Sequence, residues 1–141
     1  MRATVFDLVQ VVSQTQASFA ARNLTARTST VGRDFVADPW PTDADLVTFI
    51  RIFATRTREI ILELLRKAFA ARSLFYEEHV LPLDPNGVPA GAAWALMLIA
   101  IGSLGEVQRI DEWEKLFREA GFTDVKSVVG NPLCLVIGTK P

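Results

Sequence analysis

The sequence predicts an α/β domain whose sheet ends in an antiparallel hairpin, and three observations carry that prediction. Short runs rich in β-branched and aromatic residues alternate with segments of helical periodicity, in the order β-α-β-β-α-β-α-α-β-β. The last two runs, Val125–Val129 and Leu133–Ile137, flank Gly130-Asn131-Pro132, which suits an antiparallel turn. The first run, residues 3–7, ends in Asp7. An acidic residue at a strand tip is where a nucleotide-binding α/β sheet holds a ribose hydroxyl.

Each element has its own signal. Val5 and Phe6 belong to the first strand, and Leu8, Val12, Thr15 and Phe19 repeat at helical spacing to about Arg22. Ser29–Val31 is a short strand that breaks at Gly32, and after the turn Pro39-Trp40-Pro41, Asp45–Ile50 reads as a buried strand. Ile61, Leu64, Leu65, Ala68 and Phe69 form one apolar helix stripe, with Glu63 and Lys67 as an i,i+4 pair on the other face. Leu74–Glu77 is the next strand, and Pro82–Pro89, with Asn86-Gly87, is a loop. Ala92–Ile101 is apolar on all sides, which predicts a helix buried all round. Asp111 and Glu114 give a D-x-x-E start signal for a helix containing Trp113, Leu116 and Phe117, with its stop at Gly121.

Composition excludes several function classes. The chain has 141 residues, half of them hydrophobic and 22% charged, which is enough for one domain with a real core. A net charge of −1 gives no electrostatic basis for binding nucleic acid or an anionic membrane. The single cysteine, Cys134, rules out an internal disulfide and reads as a buried, inert thiol. No His/Cys cluster has metal-ligand spacing. The N-terminus lacks the blocks of a signal peptide, and the longest apolar run is half of the ~20 residues a membrane helix needs. A cytoplasmic location is expected.

Four strings match one family in collinear order. Val5-Phe-Asp-Leu-Val9 resembles V-F-D-L-P; Gly32-Arg-Asp-Phe35 with Asp38-Pro39 resembles G-G-D-F-F-x-D-P. Glu78-His-Val-Leu-Pro82 resembles E-x-V-L-P, and Glu112-Trp-Glu-Lys-Leu-Phe-Arg-Glu-Ala-Gly-Phe122 resembles E-W-x-x-L-x-x-E-A-G-F. Together they resemble the C-terminal catalytic domain of the S-adenosylmethionine-dependent O-methyltransferases, whose bacterial branch acts on polyketides, carotenoids and tetrapyrroles. The resemblance implies a Rossmann-like methyltransferase sheet, S-adenosylmethionine as cofactor and a small-molecule substrate. It makes Asp7, with Leu8 beside it, the ribose contact, Asp34 the acceptor for the adenine amino group, and Phe35 the ring against the adenine face. Read from the residues alone, Asp7 could instead cap the following helix, Asp34 could be a turn residue, and Phe35 could be plain core.

The chain departs from the family pattern at two places. The family's base is a His in R-I-L-H-D-W-x-D-E, and this chain reads Arg51-Ile-Phe-Ala-Thr-Arg-Thr-Arg-Glu59, with Ala54 at the His position. Imidazole can take a hydroxyl proton near neutral pH; a methyl side chain cannot. Of the two carboxylates that orient the family's His, Glu78 matches the first, while Glu106 lies one residue from the second, where Val107 stands. A solvated surface carboxylate is the alternative for Glu106. His79, the only histidine, adjoins Glu78 and should face the opposite way in a strand. Arg51, Arg56 and Arg58 gather at a helix start without a Gly-rich cradle and read as a solvated loop. Trp94 and Met97, the candidates for lining a substrate pocket, read by default as core of the buried helix.

The second departure is at the start. Only Met1 and Arg2 precede the first strand, where the Gly-rich cofactor loop is expected about 20 residues before its acidic tip. The expected sheet is therefore incomplete, without its central first strand. Its neighbours, the strands ending at Asp7 and Ile50, would then close on each other, pair with another chain, or leave the fold loose. Two consequences are expected: impaired or absent methyl transfer, and exposed sheet edges open to a second copy or a partner chain. The alternatives are a non-catalytic interaction module, or half of an enzyme assembled with a separate N-terminal fragment.

Overall fold

Strands and helices form in the expected order in the computed structural model, which describes residues 1–50, 52–71, 74–78, 96–103, 109–129 and 134–141, with only the backbone of 74–78, 129 and 134. These residues make two units, Met1–Trp40 and Pro41–Pro141.

In the first unit, β1 (Ala3–Asp7) runs parallel to β2 (Thr28–Gly32), in register from Ala3↔Thr28 to Asp7↔Gly32. A parallel pair needs a crossover, and α1 (Val9–Ala21) supplies it. The predicted stripe faces inward: Val12 is buried, and Leu8, Thr15 and Phe19 are half-buried amid exposed neighbours. The Gln16 amide donates to Thr30 Oγ1 at 2.6 Å, tying helix to strand. Asn23 ends the helix in the left-handed region (φ 56°), where its own N–H reaches Ala20 O at 3.1 Å and the Leu24 N–H reaches Phe19 O at 2.9 Å. This pairing satisfies two of the last turn's carbonyls, and Asn tolerates the conformation better than most side chains.

The second unit holds a four-stranded sheet in the order β3-β4-β6-β5. Strand β3 (Leu46–Ile50) pairs parallel with β4 (Leu74–Glu78), and β6 (Cys134–Thr139) pairs antiparallel with both β4 and β5 (Thr123–Val129). The predicted C-terminal hairpin is thus present. Asp124 (φ 47°) sits at an irregularity between Thr123 and Lys126 that lets β5 bend. Helix α2 (Arg58–Ala70) buries Ile61, Leu62, Leu64, Leu65 and Ala68, and Lys67 pairs with Glu63 at 3.6 Å. Phe69, expected in this stripe, is half-buried, lies edge-on to Phe122 (centroids 5.3 Å apart) and has the Lys140 ammonium 4.8 Å from its ring.

Helix α3 (Ile110–Glu119) buries Trp113, Leu116 and Phe117. It starts two residues earlier than the Asp111–Glu114 signal implies. Arg109 is the cap residue, and its N–H donates to Glu112 Oε2 at 2.7 Å. Arginine has no acceptor to offer in return, so only the Glu half of a reciprocal cap is realised. Glu114 instead faces the sheet, accepting from the Ser127 hydroxyl at 2.8 Å and from Arg118 at 3.0 Å, and these bonds hold its carboxyl below the usual range. Gly121 (φ 107°) stops the helix as expected, with the Phe122 N–H closing on Phe117 O at 3.1 Å.

Two further expectations are corrected. Strand β3 is not buried: it is an edge strand, with Phe49 inside but Leu46 and Ile50 46% and 54% exposed. The apolar run ending at Ile101 is helical over 96–100, yet only Leu98 is buried there, whereas Leu96, Ile99 and Ile101 are 64–72% exposed. An all-apolar surface permits burial on every side, but packing supplies neighbours on one side only. The loop Pro82–Pro89 and the turn Gly130-Asn131-Pro132 lie outside the described residues. Among the described residues, no helix is long and apolar enough to cross a membrane, and no group of three His, Cys, Asp or Glu could hold a metal.

An aromatic column joins the second unit's layers. Phe53, 1% exposed, stacks on Trp113 of α3 (5.4 Å, 19°) and lies 4.6 Å from Phe49 of β3. Phe53→Ala is expected to cost about 3–5 kcal/mol, because cavity and lost stacking add. Urea unfolding followed by tryptophan fluorescence measures it, and a loss below about 1 kcal/mol would show that the column is not a main support.

Candidate functional site

Two groups of predicted site residues sit at the carboxyl ends of parallel strands, one group in each unit. In open α/β sheets this edge is where ligands bind, because helix starts and loops cluster there.

In the first unit, Asp7 ends β1 and stands opposite Gly32, the end of β2. The Arg33 N–H donates to Asp7 O at 2.9 Å, which extends the ladder one step beyond the strands. Asp7 does not cap α1. The cap residue is Leu8, and Asp7 Oδ1 accepts from the Leu8 N–H at 2.7 Å. A carboxylate has about four acceptor sites, so this single bond fixes its direction and leaves capacity for hydroxyl donors.

Asp34 follows two residues after β2 and adopts the turn geometry weighed as its alternative. Its Oδ1 accepts from Val36 N at 2.8 Å and Ala37 N at 3.3 Å, while Asp38 Oδ2 accepts from Asp34 N at 2.9 Å. Asp34 is exposed, and these turn bonds use only its Oδ1; a turn role and a ligand role are compatible here. The Phe35 side chain is 7% exposed, so core packing accounts for most of its surface. The parallel register therefore brings Asp7, Leu8, Asp34 and Phe35 to one edge.

Trp40 supports this edge. Its indole N–H donates to Phe35 O at 2.7 Å, and its ring meets Phe6 edge-on at 6.0 Å. The signal available in sequence was a Trp enclosed by Pro39 and Pro41, where restricted backbone favours a fixed aromatic. In sequence Gly32 reads only as a strand break. A Cβ there would lie 2.9 Å from Val12 Cγ2 and 3.2 Å from Val9 Cα, so its bare backbone lets α1 seat on β2.

In the second unit, Ile50 pairs with Glu78 at the carboxyl ends of β3 and β4. The chain then turns through a single 3₁₀ turn, Phe53–Thr55, which places Ala54 just past this edge, half-buried and next to the Phe53 anchor. Among the described residues of that turn there is no imidazole or carboxylate. Glu78 is described in its backbone only, and Glu106, Val107, His79, Trp94 and Arg51 lie outside the described residues. Arg58 forms an ion pair with Glu119 at the end of α3, which gives it a structural role. Met97 is 39% exposed rather than core.

Comparison with known proteins places these features in a family. The chain is 28% identical over 132 residues to 3-hydroxy-5-methyl-1-naphthoate 3-O-methyltransferase of Streptomyces sahachiroi, covering 91% of this chain and 38% of that protein. It is 27% identical over 145 residues to the 8-O-methyl transferase TcmO of tetracenomycin polyketide synthesis in Streptomyces glaucescens, covering all of this chain and 43% of that protein. It thus spans about two fifths of the length of these relatives. Among solved structures, the apo form of the S-adenosylmethionine-dependent methyltransferase SibL matches with a TM-score of 0.84 at 28% identity, over 100% of this chain and 44% of that one. The human N-acetylserotonin methyltransferase complex with SAM matches in fold, with a TM-score of 0.85 at 20% identity over 99% of this chain and 40% of that one. A family profile for the O-methyltransferase domain matches residues 1–123, and the chain belongs to that family.

Proposed function

We propose that this chain serves S-adenosylmethionine-dependent O-methyl transfer to the hydroxyl of a small aromatic or polyketide metabolite, with impaired catalysis at its own base position. The observation that carries the reading is the placement of Asp7 and Asp34 at one carboxyl edge, each with one oxygen held by backbone donors. Asp7 accepts the ribose hydroxyls beside Leu8, Asp34 accepts the adenine amino group, and the rim of Phe35 borders the adenine. The cofactor supplies a methyl group on a sulfonium centre. What remains for the protein is to align the substrate oxygen with that methyl and to remove the hydroxyl proton.

Ala54 cannot take that proton. Glu78 stands where the family has its first orienting carboxylate and Glu106 lies one residue from the second, but residue 54 offers no histidine to orient. Transfer then depends on a substrate hydroxyl acidic enough to ionise by itself. One relative is named for a hydroxy-methyl-naphthoate and the other for tetracenomycin polyketide synthesis, which supports that substrate class here.

A second reading, a non-catalytic interaction module, is favoured by the apolar exposure of β3 and of residues 96–101. A second copy pairing through the β3 edge would be its simplest form.

Isothermal titration with S-adenosylhomocysteine is expected to give saturable binding only above the micromolar range, weakened about tenfold or more by Asp7→Ala. Binding unaffected by Asp7→Ala would remove the ribose assignment, and no saturation at millimolar ligand would remove the proposed cofactor. For methyl transfer from labelled S-adenosylmethionine to a hydroxynaphthoate, log rate is expected to rise by about one per pH unit up to the substrate's own pKa. Ala54→His should raise turnover near pH 7 by about 10²-fold and flatten that profile. An unchanged rate and profile would mean that residue 54 is not the base position. Light scattering bears on the second reading: a concentration-dependent dimer lost on Ile50→Lys supports it, and a strict monomer argues against it.

A further inference from the structure

We propose that Gly32 is a positioning residue for the ribose-binding carboxylate, setting the direction of Asp7 through the seat of α1. This rests on reading Asp7 as the ribose acceptor. Three observations meet at this glycine. It is the direct ladder partner of Asp7. The next residue, Arg33, donates its N–H to Asp7 O at 2.9 Å, so the backbone of Asp7 is fixed from the β2 side. A Cβ on residue 32 would come within 2.9 Å of Val12 Cγ2 and 3.2 Å of Val9 Cα.

The last contact decides the matter physically. Val9 is the first residue of α1, and the atom approached is backbone, which cannot rotate away as a side chain can. Any side chain at 32 therefore pushes the start of the helix away by about a few tenths of an ångström. That turn is anchored on Leu8, whose carbonyl accepts from Val11 N at 2.8 Å and Val12 N at 3.2 Å. The Leu8 N–H is also the donor that orients Asp7 Oδ1, at 2.7 Å. Helix seat, Leu8 amide and Asp7 carboxylate form one short chain of contacts with Gly32 at its base. A glycine needed only for tight packing would affect the whole unit evenly. A positioning glycine affects the Asp7 end first.

The test is amide hydrogen exchange by NMR on the full chain, comparing the Leu8 and Arg33 amides with the Ala3 amide. The Ala3 N–H bonds Arg27 O at 3.0 Å at the opposite end of the strand pair. Gly32→Ala is expected to speed exchange at Leu8 and Arg33 by about tenfold more than at Ala3. Adding Val12→Ala, which removes the nearest clashing atom, should recover part of that difference. If Gly32→Ala folds poorly, the double variant measured against Val12→Ala alone carries the same comparison. Equal acceleration at all three amides, or none, would overturn the inference. S-adenosylhomocysteine titrated into the parent chain separates the two ideas: failure to bind there counts against the ribose reading, while the amide ratio still decides the role of Gly32.

Discussion

In a parallel strand pair both chains run out at the same edge, and the two parallel ladders of this molecule determine where its chemistry can be. The pairing of Ala3–Asp7 with Thr28–Gly32 delivers Asp7 and the Asp34 turn to one end of the first unit. The pairing of Leu46–Ile50 with Leu74–Glu78 delivers Glu78 and the turn carrying Ala54 to one end of the second. A slip of one residue in either ladder would send every side chain of that strand to the other face. The register therefore carries the site more directly than any single contact does.

Register in turn depends on what packs over each ladder. In the first unit the decisive feature is a small one, the bare backbone of Gly32 beneath Val9 and Val12. The second unit relies on large groups. Phe49, Phe53 and Trp113 form a column from strand to turn to helix, and Phe117, Phe122 and Phe69 continue the aromatic packing toward the helix stop at Gly121. Stacked rings contribute both buried area and preferred geometry, so they hold the turn bearing Ala54 at a defined height. The position is well built even though an alanine occupies it.

Much of this was legible in the residues. The stripe of Leu8, Val12, Thr15 and Phe19 faces inward as its spacing required, and α2 buries Ile61, Leu64, Leu65 and Ala68 for the same reason. Those segments obey one period over several turns, and burial follows period. The misreadings share a cause. Asp45–Ile50 and the described end of Ala92–Ile101 read as buried in sequence because they are apolar, but apolarity states what a surface tolerates and not what lies beside it. The start of α3 falls before the Asp111–Glu114 signal because its cap is Arg109, a residue type with no cap preference, held by the bond from its N–H to Glu112.

The sequence alone determined the order of elements, the family motifs, the acidic tip at Asp7 and the alanine where the family has a histidine, since these depend on local period and residue identity. Tertiary structure decided which strands pair. It also decided that Asp7 orients on the Leu8 amide rather than capping the helix, and that Asp34 serves its own turn while remaining exposed. The strand pairing joins segments far apart in the chain, while the two aspartate geometries depend on which nearby backbone donors the folded chain presents. Local sequence sets what each segment prefers, and only packing settles how closely two segments approach.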